Sequence, residues 1–213
     1  MPILDPVYGE RTKLIRFCQK KSKPDDDNDL IACREFIAGG VNVNELDGTG
    51  QTALFYASME GHVEIVKELI KSGATLDLQL PLSDMRESTP GATRTALICA
   101  TDECQIEVVR ELIRAGASVD RTDGCNRTAI MAAAENCQLE IVQELIKAGA
   151  ALDIQVELGG STALLCALEC PVQPFQTQTQ VNIVRELIQA GADVDLKDQR
   201  GETALSFAGH EGM

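Results

Sequence analysis

Two histidines, eight cysteines and several recurring carboxylates are the residues of this 213-residue chain that could do chemistry. Acyl or phosphoryl transfer by nucleophilic catalysis needs a nucleophile, a base and an orienting group that converge in one cleft. His62, in Gly61-His62-Val63-Glu64, and His210, near the end of the chain, lie in no spacing that marks such a set. A polar residue at a turn usually satisfies backbone groups, and His62 is read that way. Neither Gly-x-x-x-x-Gly-Lys nor Gly-x-Gly-x-x-Gly occurs, so no loop is marked out to cradle a phosphate. The cysteines form no Cys-x-x-Cys pair. Cys166 and Cys170 could be neighbours on one helix, but two thiols without His or further Cys make a poor zinc site. The sequence therefore predicts no catalytic residue, no metal and no cofactor, with the cysteines acting as small buried apolar residues.

The bulk composition narrows the partners. Nineteen basic residues against 33 acidic ones leave a formal charge of −14. Such a surface repels phosphate backbones and anionic membranes, which argues against direct binding to nucleic acid or lipid. Aromatics are only 3% and Trp is absent, so stacking platforms for bases are not expected. No run approaches 18 apolar residues, and Met1-Pro2-Ile3-Leu4-Asp5-Pro6 has neither a basic nor an apolar leader region. The cysteine usage reads as reduced thiols, hence a cytoplasmic or nuclear setting.

Positioning comes from repetition. Thr52-Ala53-Leu54 recurs as Thr95-Ala96-Leu97, Thr128-Ala129-Ile130, Thr162-Ala163-Leu164 and Thr203-Ala204-Leu205, at steps of 43, 33, 34 and 41. Glu64-Ile65-Val66-Lys67-Glu68-Leu69-Ile70 recurs from Glu107, Glu140 and Asn182. Gly73-Ala74, Gly116-Ala117, Gly149-Ala150 and Gly191-Ala192 are each followed by an apolar residue and Asp. Thr128 is a good N-cap for a short helix of small residues. Leu139 to Lys147 puts Ile141, Val142, Leu145 and Ile146 on one stripe at helical spacing, and Gly149 stops it. Each unit thus reads as helix, turn, helix, hairpin, and buries its stripe only by stacking on the next. The rows Glu64/Glu107/Glu140 and Glu68/Glu111/Glu144/Glu186 have Lys67, Lys71, Arg110, Arg114 or Lys147 three or four residues away. They read as a solvated helix face with weak ion pairs. Cys104 and Cys137 are equivalent residues of adjacent units; helices pack 8–10 Å apart and a disulfide needs Cα atoms within about 7 Å, so that pair should not bridge.

This pattern resembles the ankyrin repeat family over nearly the whole chain, best from Asp47 to Asp77. Two departures recur. The family's Thr-Pro-Leu-His becomes Thr-Ala-Leu-Phe, Thr-Ala-Leu-Ile and similar strings, and the usual Gly between helices is Cys104 or Cys137 in two units. The resemblance implies an all-α solenoid of helix-turn-helix units with short hairpins or turns between them. It is read as one domain over 1–213, with units at about 4–46, 47–89, 90–122, 123–156, 157–197 and a partial 198–213. The last unit has one helix, which favours a fragment of something longer.

The resemblance also implies where a partner would bind: the ends of the first helices and the hairpin tips, lining a concave surface. Carried onto this sequence, the helix ends are Met59, Glu60, Asp102, Glu103, Glu135, Asn136 and Glu169. The tips are Thr49, Gln51, Arg94, Cys125, Arg127, Ser161, Arg200 and Glu202. The expected surface is an acidic groove with an Arg94/Arg127 spot, suited to a basic protein face or peptide. Charged or polar insertions at 20–28, 80–89 and 171–179 lengthen three loops, with Leu82, Met85 and Phe175 as candidate anchors. The implied function is non-catalytic binding of another protein by a monomer. The alternative is a targeting or substrate-recruiting domain of a larger enzyme, or of a secreted bacterial effector working in a host cytosol.

Overall fold

The computed structural model describes residues 13–19, 27–79, 94–157, 159–170 and 177–211. The insertions at 80–89 and 20–26, and Leu82, Met85 and Phe175, lie outside the described residues. The chain forms two compact units, Met1–Ser118 and Val119–Met213.

In the first unit the helices are α1 (Lys13–Cys18), α2 (Asp27–Ala38), α3 (Ala53–Glu60), α4 (Val63–Lys71), α5 (Ala96–Asp102) and α6 (Ile106–Arg114). The second holds α7 (Ala129–Glu135), α8 (Leu139–Lys147), α9 (Ala163–Glu169), α10 (Thr177–Gln189) and α11 (Ala204–Glu211). Within each unit first helices stack on first helices and second on second: α1 on α3 on α5, α2 on α4 on α6, α7 on α9 on α11, and α8 on α10. The segments between repeats are turns; no strand occurs among the described residues.

α3, α5 and α7 are short because a Thr precedes each and a left-handed residue stops it. Thr52, Thr95 and Thr162 accept from the amides of Phe55, Ile98 and Leu165 at 3.1, 3.2 and 3.4 Å. The stop is Gly61 at φ 77°, Cys104 at φ 57° and Cys137 at φ 54°. The two cysteines therefore keep the glycine conformation, at roughly 1–2 kcal/mol each. The stop pays off in packing. Ala129 to Ala134 of α7 are all fully buried, because alanines admit a neighbouring backbone on every side.

Second helices bury one stripe. In α6 Val108, Val109 and Leu112 are buried, while Glu107–Arg110 and Glu111–Arg114 pair at 2.6 Å on the outside. Such exposed pairs add only about 0–1 kcal/mol. Register between successive second helices is set by Arg34–Glu68 at 3.0 Å in the first unit and Gln143 donating to Glu186 at 2.9 Å in the second.

The recurring Asp after Gly-Ala has a structural task. Asp77 accepts from the Ser118 amide at 3.1 Å, Asp120 from Ala151 at 2.7 Å and Asp153 from Asp193 at 2.9 Å. Asn44 does the same for Thr75 at 2.7 Å. Each clamps its repeat to the next through a backbone N–H. Thr177-Gln178-Thr179, expected in a loop, instead open α10. Gln180 explains this: fully buried, it anchors the polar first turn to α9. In the second unit a cavity of about 330 Å³ lies beside α10 and α11, lined among others by Leu168, Val184, Ile188 and Leu205. Leu205 is 81% exposed.

Candidate functional site

Each candidate surface is built from a hairpin tip and the end of the helix that follows it. The tip is shaped by one aspartate. Asp47 accepts from the amides of Thr49 and Gln51 at 2.8 and 3.0 Å, from the Thr49 hydroxyl at 2.6 Å and from the Tyr56 hydroxyl at 2.8 Å. Asp123 accepts from the amides of Cys125 and Arg127 at 2.9 and 3.0 Å, and Asp198 from those of Arg200 and Glu202 at 2.8 Å each. These are Asx turns closed twice over. Burial pushes the Asp47 carboxyl up, but the bonds from Thr49, Gln51 and Tyr56 outweigh it and hold it below its ordinary value. The sequence reading named the tip residues and missed the aspartates that hold them. The signal was present, as an Asp four residues before Gln51, Arg127 and Glu202.

In the first unit α3 ends on Met59 and Glu60, and α5 on Asp102 with Glu103 as its cap. Arg94, just before the capping Thr95, meets Asp102 at 3.4 Å. Cys99 lies beneath them. Burial pushes its thiol up to about 12, Asp102, Glu103 and Glu60 add to the rise, and Arg94 opposes it. Four predicted residues, Glu60, Arg94, Asp102 and Glu103, thus share one electrostatic neighbourhood.

The second unit repeats the plan. Arg127 bonds Glu135 at 2.9 Å and lies 3.7 Å from Asp123. Cys166, at the position of Cys99, is pushed up to about 12 by burial, then by Glu135 and Glu169, against Arg127. Glu169 is itself raised, first by burial and then by Asp198 and Glu135; Arg200 and a hydrogen bond from Ser161 oppose the rise. Arg127, Glu135, Ser161, Glu169 and Arg200 are brought together, and Asp198 joins them.

Other predicted residues are placed differently. Gln51 is buried and its amide is spent on Asp47, so it supports the tip rather than offering contact. The Thr49 hydroxyl is committed to Asp47, and the Met59 carbonyl accepts from Gln105 at 3.3 Å. Cys125, Asn136 and Arg200 are exposed, and Glu202 is half-buried. His62 is buried at the turn before α4, its amide bonded to Ala57.

The reading of the cysteines as uniformly buried apolar residues is corrected in two ways. Cys104 and Cys125 are exposed thiols, and Cys137 and Cys170 form a disulfide with Cα atoms 6.7 Å apart. Helix spacing ruled on equivalent residues. Cys137 lies in the left-handed turn after α7, whereas Cys170 directly ends α9, and that one-residue offset closes the gap.

No group of three or more His, Cys, Asp or Glu among the described residues could hold a metal ion. No helix among them is long and apolar enough to cross a membrane. The arrangement suits recognition of positive charge: carboxylates around arginines that already have acidic neighbours.

The family model for ankyrin repeats (3 copies) matches residues 25–123 and 112–198. The structure is similar to the crystal structure of an ankyrin repeat domain from Acinetobacter baumannii AYE, with 25% sequence identity and a TM-score of 0.77. That likeness covers 94% of this chain and 92% of the other. No curated protein matches the sequence.

Proposed function

The chain belongs to the ankyrin repeat family of protein–protein interaction modules, and from this premise we propose that it binds a protein with a basic face or peptide, without catalysis. The contacts are the acidic helix ends of each unit: Glu60, Asp102 and Glu103 in the first, Glu135 and Glu169 in the second. Arg94 and Arg127 set register by fixing Asp102 and Glu135.

The observation that carries this reading is Glu169. Its carboxyl is raised by burial and by two like charges, and Arg200 only partly offsets them. A cation supplied by a partner would relieve that repulsion. The surrounding residues are held by aspartate-closed tips and buried helices, so little conformational freedom is lost on binding.

The test compares capture from cell lysate by the chain, by Glu103→Lys/Glu135→Lys, and by Glu107→Lys/Glu140→Lys. The second pair lies on the exposed faces of α6 and α8 and changes net charge equally. Basic proteins captured by the chain should be lost with the first variant and kept with the second. Equal loss in both would reduce the effect to bulk charge, and equal retention would remove the helix ends from the contact.

A further inference from the structure

We infer that Cys137 and Cys170 form a thiol–disulfide exchange site, with glutathione as the co-reactant class, that holds the end of α9, where Cys170 leaves the helix extended.

Three interhelix turns close in one way. A left-handed residue ends the helix, and the next amide donates five residues back: His62 to Ala57 at 2.9 Å, Gln105 to Ala100 at 2.8 Å, Gln138 to Ala133 at 2.9 Å. Cys170, at the end of α9, departs from its equivalents Glu103 and Asn136, which both sit at φ −91° and ψ 9°. Cys170 leaves the helix extended, at φ −52° and ψ 124°. The carbonyl equivalent to those of Ala57, Ala100 and Ala133 is that of Ala167. It accepts from the side-chain amide of Gln180 at 2.9 Å, which also reaches Leu168 at 3.2 Å. The Cys137–Cys170 bond supplies the second restraint, tying the loose helix end to the turn of the preceding repeat across 33 residues.

The buried thiols are poorly placed to compete. Burial pushes Cys33 up to about 11 and Cys99 and Cys166 up to about 12, and a protonated thiol does not exchange. Cys104 sits at the same turn position as Cys137 and stays a free thiol. Exchange starts at Cys137, which is half-buried, rather than at buried Cys170. The Cys137 thiolate attacks glutathione disulfide, forming a mixed disulfide and releasing one glutathione, which takes up the proton Cys137 gave. The Cys170 thiolate then attacks the Cys137 sulfur and releases the second glutathione. Two protein thiols are oxidised and one glutathione disulfide is reduced. Glutathione in excess reverses both steps.

Glu169 is the residue before Cys170, so reduction would loosen one of the proposed contacts; that consequence alone rests on the binding reading. The test therefore reads the backbone. The full chain is equilibrated in glutathione buffers from fully reducing to fully oxidising, quenched in acid, alkylated and mapped by mass spectrometry. Hydrogen exchange is followed in parallel. The expected result is a Cys137–Cys170 cross-link that rises with glutathione disulfide, and amides of 163–170 and 177–189 that exchange about tenfold slower once it forms. Cys137→Ser should exchange like the reduced chain under every buffer. Should that variant fold poorly, the oxidised and reduced states of the unaltered chain decide alone. A cross-link that never forms, one that forms through Cys104 or Cys125 instead, or equal exchange of α9 and α10 in both states would overturn the inference.

Discussion

Asp47 and Glu169 are carboxylates with opposite shifts, one a scaffold group and the other a proposed contact. Asp47 is the acceptor of four hydrogen bonds and its carboxyl lies below the ordinary 3.8. A carboxyl lowered by folding adds stability above its unfolded value and surrenders it as the pH falls through its folded value. Asp47→Ala should therefore cost about 2 kcal/mol at pH 7, since it strands the Thr49 and Gln51 amides and the Tyr56 hydroxyl. The deficit should shrink as the pH drops below 3.8. Urea titrations at pH 7 and pH 3 measure both, and an equal deficit at the two pH values would mean that the tip does not depend on the ionised side chain. Glu169 runs the other way. Raised above 4.5, it favours the fold at low pH and loses that contribution as the pH rises through its folded value. Asp47 is satisfied by hydrogen bonds from its own chain, whereas Glu169, a proposed contact, is raised by burial and like charges that Arg200 opposes.

Among the elements, α7 is the most demanding, because Ala129, Ala132, Ala133 and Ala134 are all fully buried against α8 and α9. Ala133→Leu adds a branched side chain where no space is left and should cost about 1–3 kcal/mol or more. Chemical denaturation at pH 7 gives the value; a neutral result would mean that α7 and α9 can part without loss. The sequence made such helices legible, since the threonine caps, alanine runs and Ile-Val-Leu stripes are local patterns that stacking merely completes. It did not reveal the start of α10. Thr177-Gln178-Thr179 carries no apolar period, and its helix depends on Gln180 finding the carbonyls of α9, a contact spanning an insertion. Cys137–Cys170 escaped for a related reason: the pair joins non-equivalent positions of two repeats, while repeat logic compares equivalent ones. The proposed contact row can be named from residue type and place, but not which of its members the scaffold consumes. Gln51 and Thr49 are spent on Asp47, a choice only tertiary hydrogen bonding decides.

For the whole molecule the governing quantity is charge. With 33 acidic residues against 19 basic ones, the chain repels other acidic macromolecules and draws basic ones from a distance. On the proposed reading, the acidic helix ends then discriminate among the basic proteins that arrive. These two contributions differ in their response to salt, because the screening length falls from about 10 Å at 0.1 M to about 3 Å at 1 M. Long-range attraction disappears over that range, whereas a partner cation bound at Glu135 and Glu169, as proposed, would interact at contact distance. Association of a captured basic partner should therefore slow by at least about tenfold between 0.1 and 1 M salt, with a much smaller change in dissociation. Glu107→Lys/Glu140→Lys should reduce the salt dependence of association and leave dissociation alone. Glu103→Lys/Glu135→Lys should reduce it as much and also speed dissociation, since only this pair removes the proposed contacts. Surface-immobilised binding kinetics at several salt concentrations separate the two. If both variants alter association alike and neither alters dissociation, the acidity of this protein only steers its partner, and the holding contacts lie away from the helix ends.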